Sequence, residues 1–121
     1  MNQDVKNALK TDTLCDITTT GRKSGDPHKI EIAFHYIDGS VYISGLPGRR
    51  DWYANVVANP AFTFHLKQSM KADFPARATP ILDEAERRAL LLQIVVKWNR
   101  ENEIEKFVKD SPLIEVQLES S

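Results

Sequence analysis

The segment His28–Ile37 alternates in character from residue to residue. His28, Ile30, Ile32, Phe34 and Tyr36 fall on one face, and Lys29, Glu31, Ala33 and His35 on the other. A period of two over this length specifies a strand with two different sides. Asp38-Gly39-Ser40 follows, a hairpin turn signal, and Val41–Ser44 is the returning strand. Thr13–Thr20, rich in threonine and isoleucine, reads as a strand before them. Ala61–Lys67 alternates again, Ala72–Ile81 runs back, and Leu113–Leu118 is a last strand. Pro75 and Pro80 assign Ala72–Ile81 to a sheet edge or a bulge, because proline cannot donate to a ladder.

Helices punctuate this order. Asp4–Lys10 is a short one, Asp51 is placed to cap another running to Ala58, and Asn59-Pro60 closes it. Asp83 opens the strongest, with Glu86 three residues on and Leu91, Ile94, Val95 and Trp98 as its apolar stripe. Glu101–Lys109 is a shorter helix. Short connections between the first strands favour antiparallel pairing. The fold class expected is mainly β with helices (α+β), closed as a small antiparallel barrel.

A chain of 121 residues is expected to form one domain over residues 1–121. A net charge of −1 gives no global field for nucleic acid or anionic lipid, so any basic chemistry is local. No apolar run approaches the roughly 18 residues of a membrane span. Met1–Lys10 lacks the apolar core of a signal peptide. A cytoplasmic protein is expected. The single cysteine, Cys15, sits in a strand-like run and reads as a small buried thiol rather than a nucleophile.

The local basic chemistry is in two loops. Gly21-Arg22-Lys23-Ser24-Gly25 follows the first strand, and Gly45-Leu46-Pro47-Gly48-Arg49-Arg50 follows the third. Antiparallel order puts both at the same end of the barrel. Arg22, Lys23, Arg49 and Arg50, with His28 and Lys29, are then expected to meet at one mouth. The helix starting at Asp51 points its positive end there. Exposed loops often carry lysine and arginine as a solvated rim. Two such loops at one end favour a phosphorylated ligand instead. The Asp51 carboxylate opposes an anion unless it serves as the cap or pairs with Arg49 or Arg50.

Thr18-Thr19-Thr20-Gly21-Arg22-Lys23-Ser24-Gly25-Asp26-Pro27-His28, together with Asp51-Trp52-Tyr53-Ala54-Asn55-Val56-Val57-Ala58-Asn59-Pro60, resembles the deazaflavin-dependent nitroreductase family. These are small split-barrel proteins that use coenzyme F420 and are also described as quinone reductases. The resemblance is strong over Thr18–Leu66 and weaker beyond. It implies a split barrel of the flavin-reductase type. Arg22, Lys23 and Ser24 would grip the phosphate and acidic tail of F420, with His28 where an arginine commonly completes the clamp. The loop of Ser44, Gly45, Leu46, Pro47, Gly48, Arg49 and Arg50 would lie along the deazaflavin ring. Trp52 and Tyr53 would wall the site. Hydride would pass from reduced F420 to a small quinone- or nitro-like acceptor, with no catalytic side chain. The chain departs from the family pattern in Ile30-Glu31-Ile32, which replaces a proline-containing strand start. It also lacks a tyrosine cluster in Val96–Ser111. A rival reading keeps the fold as a non-catalytic module holding flavin mononucleotide (FMN), a tetrapyrrole or a fatty acid.

Other features carry less. His28, His35 and His65 lie on different strands without metal-ligand spacing. No Ser/His/Asp or Cys/His arrangement is evident. Glu31 either lines the barrel beside an arginine or faces solvent. Trp98 continues the helix stripe and reads as core. Phe62 and Phe64 share a face, as core or as the interface of an expected homodimer.

Overall fold

The computed structural model describes residues 2–119. Helix α1 spans Gln3–Thr11, and strands β1, β2 and β3 span Leu14–Thr20, Pro27–Ile37 and Ser40–Ser44. Helix α2 covers Asp51–Ala58, β4 Ala61–Leu66 and β5 Ala72–Pro80. Helix α3 covers Glu84–Lys97. A 3₁₀ turn at Glu101–Glu103 leads into α4, Ile104–Asp110, and β6 is Leu113–Leu118. The six strands form a closed barrel in the order β1-β2-β3-β6-β5-β4, every pair antiparallel.

Local signals set the corners. Asp38 and Gly39 both take positive φ (51° and 81°), making the two-residue turn that joins Ile37 to Ser40. The Asn2 side chain caps α1 by accepting from Val5 N, and Asp83 caps α3 by accepting from Glu86 N. The expected cap at Asp51 is not observed. Arg50 holds the N-cap position of α2 without a side-chain hydrogen bond, and Asp51 stands inside the first turn.

The alternation in β2 sorts its residues as expected. Ile32, Phe34 and Tyr36 pack with the barrel core, while His35 and Ile37 turn outward beneath α3. That core also takes Cys15 and Ile17 from β1, and Phe62, Phe64 and Leu66 from β4, all under 7% exposed. Phe34 and Phe64 meet edge to face at 5.4 Å. Phe62 and Phe64 are therefore inside their own barrel and offer no aromatic face to a partner subunit. Helix α1 enters where β1 starts and α2 leaves where β3 ends. These are opposite ends of the barrel, and Val5, Leu9, Trp52 and Val56 extend the core towards both.

Of the sheet edge or bulge expected for β5, closure excludes the edge. The strand pairs with β4 on one side and β6 on the other. Its prolines are tolerated because both fall at the ends of the ladder with β6, although Pro75 stands mid-ladder against β4, opposite Thr63. Pro75 precedes the first β6 pair, Ala76↔Leu118, and its carbonyl still accepts from Glu119 N at 2.8 Å. Pro80 is the final residue of the strand. Glu31 points outward and shares Lys67 with Asp16, so its partner is a lysine rather than an arginine. Cys15 is fully buried, and burial pushes its thiol up to about 12.

A second apolar layer lies outside the barrel. Leu91, Ile94 and Val95 of α3 and Phe107 of α4 pack against Ile37, Ile81 and Leu113. Trp98 packs against this layer, as the stripe predicted. His35 sits beneath it, 3% exposed, with Nδ1 3.3 Å from Lys97 Nζ and its ring 5.4 Å from Trp98. An ammonium only donates, so Nδ1 accepts and the proton resides on Nε2, which has no hydrogen-bond partner among the described residues. Burial, and secondarily the charge of Lys97, lower this imidazole from 6.5 to about 4. The unfolded chain therefore binds a proton here that the folded chain refuses. Stability from this site is complete above pH 6.5 and is lost as pH falls towards 4. The loss amounts to about 3 kcal/mol at 1.36 kcal/mol per pKa unit. Denaturant midpoints measured between pH 7 and 4 should show this slope, and His35→Gln should flatten it.

Candidate functional site

β1 ends in a compact loop. Gly21 N donates to Asp26 O (2.8 Å), Gly25 N to Gly21 O (2.9 Å), and Ser24 Oγ accepts from Asp26 N (3.1 Å). A Cβ on Gly21 would lie 2.7 Å from both His28 Nε2 and Ser24 Oγ. The glycine is thus required for these two polar side chains to close over the backbone. They line a cleft of about 360 Å³ with Arg22, Lys23, Asp51 and Trp52.

Asn55 organises this cleft. It is 4% exposed, on the inner side of α2 beside Val56. Its Oδ1 accepts from Arg22 N (3.1 Å) and Arg22 Nη1 (2.9 Å), and its Nδ2 donates to Thr19 Oγ1 (3.3 Å). Arg22 Nη2 also approaches Asp51 Oδ1 at 3.4 Å. The partner expected for Asp51 was Arg49 or Arg50; it is Arg22. Lys23 belongs to no ion pair among the described residues. The smaller cleft therefore presents one unneutralised ammonium, one hydroxyl and one imidazole. Beside them lies the first turn of α2, whose free N–H groups no side chain caps.

The second loop reaches the same end of the barrel but opens onto a different cleft. Pro47, Gly48, Arg49, Arg50 and Tyr53 border a space of about 650 Å³, whose other walls are α3, α4 and Ser111-Pro112. The four cations expected at one mouth are thus divided, Arg22 and Lys23 on one side of α2 and Arg49 and Arg50 on the other. Trp52 lines the first cleft and Tyr53 the second, with their rings edge to face at 5.9 Å. Lys29 lines neither. Ser44 is buried, and its hydroxyl donates to Pro112 O at 2.7 Å. Gly45 and Leu46 connect it to the cleft. Gly48 N donates to Asp110 O (3.0 Å), which fastens the loop to the end of α4.

Sequence reasoning missed Asn55. A polar residue amid Trp52, Val56 and Val57 on a short helix was the available sign. It also missed a cross-strand relay on the outer barrel wall. Thr18 Oγ1 and His65 Nε2 are 2.7 Å apart, and His65 Nδ1 and Asp73 Oδ1 2.7 Å. This Thr/His/Asp arrangement is neither of the triads that were expected to be absent, and its members line neither cleft. Among the described residues no three His, Cys, Asp or Glu side chains group as a metal site, and no helix is long and apolar enough to cross a membrane.

Six antiparallel strands closed in this order, with helices at the barrel ends and outside it, define a split β-barrel of the flavin-reductase type. A conserved hypothetical protein of Mycobacterium tuberculosis superposes with TM-score 0.80 at 11% identity, over 99% of this chain and 82% of that one. An F420 reductase gives 0.73 at 16% identity, over 99% and 97%. A FAD-binding protein of Mesorhizobium loti gives 0.73 at 13%, over 99% and 91%. At these identities the likeness is one of fold. The F420H(2)-dependent quinone reductase family matches residues 2–118, and the chain belongs to that family. No curated protein matches the sequence.

Asn55→Ala should leave the buried Thr19 hydroxyl without a partner and take the acceptor from the half-buried Arg22 amide, at about 1–3 kcal/mol. Chemical denaturation measures that loss. Asn55→Asp, which keeps the acceptor for Arg22, should recover part of it.

Proposed function

We propose that the protein is an F420-dependent oxidoreductase that delivers hydride to a small organic acceptor, quinone- or nitro-like. The observation that carries this reading is the donor set of the smaller cleft: unpaired Lys23 beside Ser24 and His28, closed over Gly21 at the uncapped start of α2. Those groups suit a phosphate, and the one carboxylate among them, Asp51, lies against Arg22. Family membership supplies the cofactor class.

Reduced F420, when bound, supplies the hydride. The chain holds and orients. Lys23, Ser24 and His28 would take the phosphate, with Arg22 fixed by Asn55 as part of the wall. Arg49 and Arg50, on the other side of α2, would not join that clamp. The backbone from Ser44 to Gly48 would support the ring, with Trp52 and Tyr53 beside it. A Cβ on Gly45 would meet only ordinary contacts, Pro112 Cγ at 3.5 Å and Arg50 Nε at 3.9 Å. The fold does not require glycine there, which fits a bare backbone kept for a planar ligand. No acid or base is needed from the chain. Cys15 is buried with its thiol pushed up to about 12, and His65 is held between Thr18 and Asp73.

Three variants test this. Lys23→Ala should weaken F420 binding by about 1.5–3 kcal/mol in a fluorescence titration; unchanged affinity contradicts the phosphate assignment. Gly45→Val should fold with an unaltered melting temperature yet lose F420 binding. Normal binding by that variant removes the ring platform. His65→Gln should keep turnover within a few-fold, far from the roughly 10²–10⁴ loss that follows removal of a general acid or base.

A further inference from the structure

The larger cleft carries polar groups that the fold leaves unspent. Arg87 and Ser111 are both in its wall, 9% and 4% exposed. The Arg87 guanidinium donates to four carbonyls: Nε to Val108 O (2.9 Å), Nη1 to Ile81 O (2.9 Å), and Nη2 to Phe107 O (3.3 Å) and Ser111 O (2.6 Å). A guanidinium has five N–H groups, so one on Nη1 is left over. Among the described residues no carboxylate bonds to this buried charge. The Ser111 hydroxyl is buried too and has no hydrogen-bond partner among the described residues.

The rim repeats the same sign. Arg49, Lys106 and Lys109 are exposed and belong to no ion pair among the described residues. Of the two carboxylates in the wall, Glu84 is drawn to Arg88 at 3.5 Å, which leaves Asp110 against five cations. Between rim and floor the surface is apolar: Pro47, Tyr53, Leu82, Val108 and Pro112. Leu82 is 76% exposed at the entrance, a large apolar side chain that the protein itself does not cover. A space of about 650 Å³ accommodates a compound of two or three fused rings.

Resting on the reading that the Ser44–Gly48 backbone supports the cofactor ring, we propose that this cleft receives the acceptor and that the acceptor is an acid. It is a quinone, or a nitro-substituted aromatic, that also bears a carboxylate; a quinone of this kind would take the hydride from reduced F420 and a proton from water, leaving as the hydroquinone while the cofactor is oxidised. Its rings lie on the Tyr53–Leu82 bed, and its carboxylate sits among Ser111, Arg87 and the two lysines of α4. The same cations suit the acidic tail of the cofactor, so the test separates the two sources.

Equilibrium dialysis of cofactor-free protein against anthraquinone-2-carboxylate and its neutral carboxamide measures the preference. The acid should bind about tenfold more tightly at low salt, and the margin should shrink as salt is raised. Lys106→Ala with Lys109→Ala, both exposed positions, should abolish most of that margin while F420 affinity stays unchanged. Ser111→Ala should weaken the acid roughly fivefold or more without loss of stability, because its hydroxyl has no partner to lose. Equal binding of acid and amide overturns the proposal. So does a double variant that weakens F420 instead of the acid, which assigns the cleft to the cofactor tail. A wild-type protein that prefers the acid but binds no F420 keeps the cleft's ligand class and overturns the acceptor role together with the deazaflavin reading.

Discussion

Closure of the barrel by its last strand arranges everything else. β6 slots between β3 and β5, pairing Leu113 with Ser44 and Ile114 with Pro80. The chain between β5 and β6 must therefore leave the barrel, build α3 and α4 against its outside, and return beside the end of β3. That route brings Ser111 and Pro112 to the second loop. Ser44 Oγ–Pro112 O and Gly48 N–Asp110 O fasten the junction. Arg87 holds it from the other side by taking the last carbonyls of α4, the role a C-terminal cation plays at a helix end. The larger cleft exists because of this return path. The smaller one exists because the β1–β2 loop is tied across to α2 by Asn55.

Much of this was legible because it is local. Alternation placed the faces of β2, the Asp38-Gly39 pair placed the hairpin, and Asp83 with Glu86 placed the start of α3. These signals lie within a few residues of what they specify. What closure decides was not legible. Pro75 and Pro80 argued for an edge or a bulge, yet a closed barrel has no edge. They survive at the ends of the β5–β6 ladder, a fact set by where β6 stops. Phe62 and Phe64 looked available to a partner until closure put them inside. Strand direction correctly put both basic loops at one end. It carried no information on the wall between them, because α2 lies there only once Trp52 and Val56 pack into the barrel core.

The site residues divide in the same way. Lys23, Ser24 and His28 are joined by one tight loop, so their convergence could be read from a short motif. Asn55 acts across 33 residues on Arg22 and 36 on Thr19. Arg87 acts across 20 or more on the end of α4. Neither has a neighbour in sequence that reveals its partner. Asn55 spends its side-chain hydrogen bonds on Thr19 and Arg22, and Arg87 spends four of its five N–H groups on main-chain carbonyls, so each first of all holds a wall in place. This suits chemistry in which the reacting hydride belongs to a cofactor and the chain contributes position.

The central claim is that the small cleft holds the phosphate of F420 while the second loop carries its ring. A crystal structure of the protein with F420 tests it most directly. The account predicts the phosphate within hydrogen-bond distance of Lys23 and Ser24 and the deazaflavin ring along the backbone of Ser44–Gly48. A phosphate bound instead among Arg49, Lys106 and Lys109, or a ring stacked away from the second loop, would contradict it.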